Sequence, residues 1–327
     1  MDSALLRYIG KRCLQSAAVI AIVIVGCFLL LQIIPGDMVD ILAGQTGDMD
    51  AEMMATLRQR YGLDQPMIVQ LFSYVGGVLQ GDLGYSYRNG NDVLALILQR
   101  LPATTLLVTC SVIVAVFFGT LGGIVSARHA HRPIDIVVSV IVLLFYATPI
   151  FISGLAFMII FSVKLKLLPL AGLITPGLDG GFLTIAADIA QHMILPVFSL
   201  SLFYIAIYTR LARASMLQVL DQDYIRTAYA KGLGTSHVII GHALRNALLP
   251  VVTMVGLQIA ELFGGAVLTE TIFGLPGVGR LAYDAVFQRD YPLILGVLLV
   301  CAVVIVVVNL IIDIAYTFLD PRVEITR

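Results

Sequence analysis

The sequence predicts an all-α integral membrane protein of about six transmembrane helices. A long external segment follows the first helix, and a cytoplasmic two-helix loop joins the fourth and fifth. Three observations carry this reading. Hydrophobic residues make up 59% of the chain and charged residues 13%, with a mean hydropathy of +0.96. A soluble chain keeps about a quarter of its residues charged, so this one has too little polar surface to cover a water-soluble globule. Charge-poor runs recur along the chain, each near the roughly 20 residues that cross the hydrocarbon layer at 1.5 Å per residue. The basic residues, finally, are distributed unequally between alternate connections.

Taken in order, residues 1–12 form a cytoplasmic N-terminus and 13–34 the first span. Its apolar core is too long for a secretory signal, and no small-x-small cleavage site precedes Pro35, so it reads as a retained helix. Residues 35–103 are external. Within them, 50–61 places Met54, Leu57 and Tyr61 on one helical face, and 66–79 does the same with Ile68, Leu71, Phe72 and Val75. These are either helices lying on the membrane surface or a cap over the outer mouth that meets a partner.

The second span, 104–127, carries Gly119, Gly122 and Gly123, small residues that permit close helix contact. A cytoplasmic loop, 128–135, precedes the third span, 136–163, and an external loop, 164–190, precedes the fourth, 191–209. Pro149 and Pro196 should kink the third and fourth spans. The cytoplasmic loop 210–245 leads to the fifth span, 246–269, which is interrupted by Glu261. Intramembrane carboxylates are costly and often functional, so Glu261 either lines a pathway or bonds a neighbouring helix at a subunit interface. In the external loop 270–290, Gly274, Gly277 and Gly279 read as turn residues. The sixth span, 291–316, and a cytoplasmic C-terminus, 317–327, complete the chain. Every span must be helical, because lipid offers no partner to backbone polar groups.

Orientation follows from the short connections. Arg7, Lys11, Arg12, Arg128, Arg132, Arg210, Arg213, Arg226, Lys231, Arg245, Arg322 and Arg327 fall on one side. Lys164, Lys166, Arg280 and Arg289 fall on the other. Both termini are therefore expected in the cytoplasm.

Several chemistries are excluded. A net charge of −1 gives no basic face for nucleic acid. Cys13, Cys27, Cys110 and Cys301 are far apart in apolar sequence and read as small buried apolar residues, not as metal ligands. His129, His131, His192, His237 and His242 form no Ser/His pair or HExxH helix within a span, so no catalytic site is read. No phosphate-binding loop occurs: GLPGVGR lacks the terminal Lys-Ser/Thr and lies on the external side. No cofactor is assigned to this chain.

The loop 210–245 is long for a cytoplasmic connection. Asp221 or Asp223 can cap a helix starting near Tyr224, which carries Thr227, Ala228 and Ala230. Gly232-Leu233-Gly234 breaks it, and Thr235 or Ser236 caps a second helix through Val238, Ile239 and Leu244. Small side chains at Ala228, Ala230 and Gly232 suit a knob that sits in another protein's groove. The same pattern also suits a plain helical hairpin between two spans.

At these residues the chain resembles a known family. DYIRTAYAKGLG…HALRNALLP is similar to the EAA loop of binding-protein-dependent ABC importer permeases, in particular the first permease subunit of the dipeptide, oligopeptide and nickel branch. The resemblance runs through RYIGKR…IPGD, YGLDQP, GDLGYS, LPAT, TRLARASMLQVL, GLQIAELFGGAVLTETIFGLPGVGR, RDYPLILG and LDPR. The chain departs from the general pattern at its glutamate, where Arg226 stands, and at its first alanine, which is Thr227. The pattern's later proline falls at Arg245. No role of that glutamate is carried over.

The resemblance implies a multi-pass subunit of the bacterial inner membrane. It would form half of a pathway for di- or oligopeptides, with nickel chelate, glutathione or oligosaccharide as alternative substrates. Implied partners are a second homologous permease subunit, two ATP-binding subunits holding ATP and Mg, and an external substrate-binding protein. The loop would dock into the ATPase through Asp223, Tyr224, Arg226, Thr227, Ala228, Ala230, Lys231, Gly232 and Gly234, with Arg226 and Lys231 facing ATPase carboxylates. An ion-coupled secondary transporter is the rival class, but it would show internal repeats and paired intramembrane charges.

Overall fold

The computed structural model describes residues 3–33, 39, 50–60 and 63–319, and they are predominantly helical. Helices α1 Ser3–Ile33, α2 Ala51–Arg60 and α3 Met67–Leu79 lead to a short antiparallel hairpin, β1 Tyr85–Ser86 with β2 Asn91–Asp92. Helices α4 Val93–Arg128, α5 Pro133–Ala147 and α6 Ile150–Phe157 follow, the last continuing as a π-helical turn over Met158–Lys164. Helix α7 Phe182–Leu220 leads into α8 Asp223–Ala230, α9 Thr235–His237, a π-helical Val238–Ala243 and α10 Leu244–Ala247. Helices α11 Leu249–Ile272, α12 Val278–Gln288 and α13 Tyr291–Leu319 complete the order.

Five helices among the described residues are long and apolar enough to cross a bilayer. The pair Pro133–Ala147 and Ile150–Lys164, bent by 101°, makes a sixth crossing if counted as one span. Long stretches of these helices expose large apolar side chains, among them Leu14, Ile22, Ile113, Phe117, Leu143 and Leu144. Water would not tolerate such contiguous apolar surface, and lipid does.

The helices run further than the apolar runs suggest. Helix α4 has 36 residues and α7 has 39, and α7 continues through Pro196 without a break. Once a helix leaves the hydrocarbon it can carry charge, so loss of hydropathy does not mark its end. At Pro149 the outcome is stronger than a kink. Thr148 is extended and Pro149 caps a new helix, because proline disfavours the helical conformation in the residue before it.

The chain forms two compact units, Met1–Gln99 with Ala282–Arg327, and Arg100–Leu281. In the first, α1 packs along α13 and α3 through Ile24, Cys27, Leu295 and Leu299, with Tyr74, Val75 and Val78 against them. Helix α3 therefore turns Tyr74, Val75 and Val78 inward and leaves Ile68 and Phe72 exposed. Tyr61 and the Leu57 side chain lie outside the described residues. The hairpin is pinned by the buried Ser86 hydroxyl, which donates to the Asp290 carboxylate. Cys27 is buried, but Cys13 is exposed on α1, and Cys110 and Cys301 are half-buried. Cys13 thus departs from the expectation of burial.

The second unit is built on α7, against which α5, α6 and α11 pack. Its core includes Leu107, Ala115, Leu200, Tyr208, Val251, Leu262 and Leu275. The glycine stripe of α4 meets α7 backbone to backbone. A Cβ on Gly119 would lie 2.5 Å from the Cβ of Tyr208, and one on Gly123 would lie 2.5 Å from the Cβ of Ala212 and 2.8 Å from the nitrogen of Arg213. Neither position can take a side chain without separating the helices.

Candidate functional site

The loop after α7 folds as a two-helix projection with its own small core. Ile225 and Ala228 on α8 pack with Val238, Ile239, Ala243 and Ala247, with Met216 of α7 and with Ala127 at the end of α4. Helix α8 ends at Ala230, and Gly232 follows with φ +80°. The Gly232 amide bonds the Tyr229 carbonyl at 2.9 Å and the Leu233 amide reaches the Ala228 carbonyl at 3.4 Å. This is the paired bonding of a left-handed helix stop, where glycine avoids the steric cost of a Cβ. Leu233 then packs onto the loop core.

The caps differ from expectation. Helix α8 begins at Asp223 after Gln222, with no side-chain cap, and α9 begins after Gly234, again uncapped by a side chain. Asp221 and Asp223 instead bind Arg226, at 3.2 and 3.5 Å. All three are well exposed, so the pairing is weak.

The residues singled out on the loop fall on two sides. Asp223, Tyr224, Arg226, Thr227, Ala230, Lys231, Gly232 and Gly234 are exposed, whereas Ala228 is buried in the loop core. Its small size therefore serves the approach of α8 to Val238 and Ile239. Tyr229, which the sequence pattern does not single out, is exposed together with Tyr224. The Tyr224 hydroxyl accepts a bond of 2.8 Å from the Asn246 side chain, which fixes the ring relative to the start of the next span.

Two further clusters were not legible in the sequence. The first lies at the root of the loop. Asp135, at the start of α5, accepts a fork of two 2.8 Å bonds from Nε and Nη2 of Arg213 on α7. It also accepts the Ser126 hydroxyl from α4 and the His131 amide at 3.0 Å. In the sequence Arg213 signals only the sign of its side of the membrane, and nothing marks Asp135 as its partner.

The second cluster surrounds Glu270 near the end of α11. Its carboxylate is fully buried and accepts Thr104 Oγ1 at 2.6 Å, the Arg280 amide at 2.9 Å and the Gly279 amide. Thr104 in turn accepts the Val278 amide at 2.8 Å. A Cβ on Gly277 would lie 2.1 Å from Cδ of Glu270, and one on Gly279 would lie 2.7 Å from Cα of Val267. Gly274, with φ +61°, is a turn residue. Gly277 and Gly279 are contact residues that let the segment close over the carboxylate. Helix α12, which opens there, was not anticipated. The side chain of Glu261, the intramembrane acid read from sequence, lies outside the described residues.

Comparison with known proteins gives the fold a context. Residues 119–325 match the family described as binding-protein-dependent transport system inner membrane component, and residues 5–108 match the N-terminal part of such components. The chain is 40% identical over 318 residues to the dipeptide transport system permease protein DppB of Escherichia coli K12, covering 91% of this chain and 92% of that protein. It is 39% identical to the oligopeptide transport system permease protein AppB of Bacillus subtilis, over 97% of this chain and 99% of that one. Among solved structures, the inward-facing MetNI methionine ABC transporter superimposes with a TM-score of 0.54. It shares 16% sequence identity and covers 69% of this chain and 97% of that chain, a likeness in fold.

Proposed function

The chain belongs to the family of inner-membrane components of binding-protein-dependent transport systems, and from that premise we propose that it serves an ATP-driven importer as one of two membrane subunits for di- or oligopeptides. The observation that carries the mechanism is the loop itself. A small core shared with the ends of α4 and α7, a left-handed glycine stop and an exposed face of Tyr224, Arg226, Thr227, Tyr229 and Lys231 project from the end of α7. That face suits docking into a groove of an ATP-binding subunit. Two such subunits would hold ATP and Mg, and a second, homologous permease would complete the pathway. An external binding protein would deliver the substrate at the inner membrane of a bacterium. Relatives named for dipeptide and oligopeptide transport support the substrate class. Transport by the purified complex, offered peptides, nickel chelates, glutathione and oligosaccharides, separates it from the alternatives.

Gly232→Leu tests the docking role. A Cβ at Gly232 would meet nothing within 4 Å, so the first side-chain atom points into open space. Leucine would adopt a left-handed conformation at a cost of about 1 kcal/mol or more and project into the space a partner needs. Loss of close docking costs about 2–4 kcal/mol, or roughly one to three decades in ATPase association. Membrane abundance should stay near normal while transport and substrate-stimulated ATP hydrolysis fall together. Unchanged transport at normal abundance would remove the loop from this role.

A further inference from the structure

We propose that Asp135 is a positioning residue: by gripping Arg213 and Ser126 it makes the cytoplasmic ends of α4, α5 and α7 one body with the docking loop. The inference rests on the coupling role proposed for that loop and adds the route by which a push on it reaches the membrane. Three observations meet at this point.

The first is the bonding. One carboxylate, 5% exposed, collects a bidentate guanidinium from α7, a hydroxyl from α4 and an amide from the connection between α4 and α5. A forked pair fixes orientation as well as distance, which a single ion contact does not. The amide belongs to His131, which holds φ 63°, an uncommon conformation for a side-chain-bearing residue. The tight turn from α4 into α5 is therefore tied to the same carboxylate.

The second is placement. Gly123 brings α4 against the backbone of α7 at Thr209, Ala212 and Arg213. Three residues beyond Arg213, Met216 enters the loop core with Ile225, Ala228 and Val238, and Ala127 of α4 enters it too. Helices α4 and α7 are thus already fused to the loop by packing. Helix α5 contributes no buried residue to that loop core, and Asp135 supplies its polar link to the loop's root.

The third is the space beside the pair. A half-open recess of about 390 Å³ lies there, lined by Ser126, Ser139, Thr209, Arg210 and Arg213 together with apolar residues of α5. Helix α5 packs along α7, but side-chain packing is incomplete at this recess, and the carboxylate is the polar hold beside it. Beyond α5 the chain bends by 101° at Thr148 and Pro149. Motion delivered at Asp135 would be carried rigidly as far as that break.

The test uses the assembled complex with its ATPases and binding protein. Asp135→Asn keeps shape and removes charge, Arg213→Lys keeps charge and removes the fork, and Asp135→Glu is the conservative control. Asn and Lys variants at normal abundance should transport on the order of tenfold less peptide per ATP hydrolysed, with Asp135→Glu closer to wild type. A merely structural residue would lower abundance or melting temperature without changing that ratio. Spin labels at Arg132→Cys and Ser236→Cys, both exposed and neither among the docking residues, with the native cysteines removed, supply a readout independent of transport. The distance distribution should be narrow in the wild-type background with and without trapped nucleotide, and broad with Asp135→Asn. A narrow distribution in Asp135→Asn, or an unchanged transport ratio, overturns the proposal. If Gly232→Leu also transports normally, the docking reading itself has failed. If Gly232→Leu fails while Asp135→Asn transports normally, only the positioning role is lost.

Discussion

Gly277→Ala should be among the most damaging single-methyl additions in the chain. The added Cβ would sit 2.1 Å from Cδ and 2.2 Å from each oxygen of Glu270. Real contacts of this kind do not occur, so something must move. The carboxylate cannot move cheaply, because it is fully buried and receives Thr104, the Arg280 amide and the Gly279 amide. Each bond to a charged acceptor is worth about 1.5–3 kcal/mol, and donors left stranded in a buried site add their own desolvation cost. Giving up one or two of them puts the loss at about 3–5 kcal/mol, beyond the usual range for a point substitution. The assay is the temperature at which half of the detergent-purified protein loses its monodisperse peak. A drop on the order of 10 °C is expected from the size dependence of such shifts. Gly264→Ala is the control on α11: a Cβ there meets nothing within 4 Å, so its melting should not fall. Glu270→Ala removes the obstacle, so the two substitutions should be strongly non-additive when combined. Gly277→Ala melting within about 2 °C of wild type would refute the picture of a carboxylate enclosed by glycines.

Two further outcomes follow from topology and chemistry. Cysteine at position 88 should react with a membrane-impermeant thiol reagent on intact cells, and cysteine at position 230 should react only after the membrane is opened; the reverse pattern would sink the orientation. Both sites are exposed, whereas Ala228 is buried and would report packing instead of sidedness. The rigorously purified single chain should show no steady ATP turnover, since GxxxxGK[ST] does not occur in it; sustained hydrolysis that survives removal of trace ATPases would refute this.

The spans were legible because lipid imposes one requirement on every position, and a missing charge reveals it. The ends of α4 and α7 were not, because outside lipid a helix needs only ordinary propensity. Pro149 was legible as a disturbance, but the 101° bend depends on how α6 packs on α7, which no local signal reports. The glycines of α4 were read correctly as contact residues by their spacing. Gly277 and Gly279 have the same purpose, yet they looked like turn residues because the segment around them is short and non-periodic. Partner choice was the least visible. Asp135 finds Arg213 across 78 residues and Thr104 finds Glu270 across 166, and nothing in either segment names the other. Arg226 shows the converse: its partners, Asp221 and Asp223, lie five and three residues before it in the chain.

On the docking role proposed for the loop, the buried position of Ala228 changes where docking energy should reside. If small residues made the knob by letting backbones approach, truncation could not weaken docking, since there is little left to remove. With Ala228 inside, the exposed face is dominated by Tyr224 and Tyr229, each a little over two-fifths exposed. Tyrosine is among the residue types that most often carry interface energy, because it buries a large rigid area and keeps a polar tip. Tyr224 is already oriented by its bond from Asn246, so less freedom would be lost when it enters a groove. The charged residues beside it are exposed and engaged with one another, an arrangement that favours steering and register over affinity. The loop thus divides its work by burial. Small residues inside hold its shape, aromatic residues outside offer contact area, and Gly232 sets the angle at which α8 is presented.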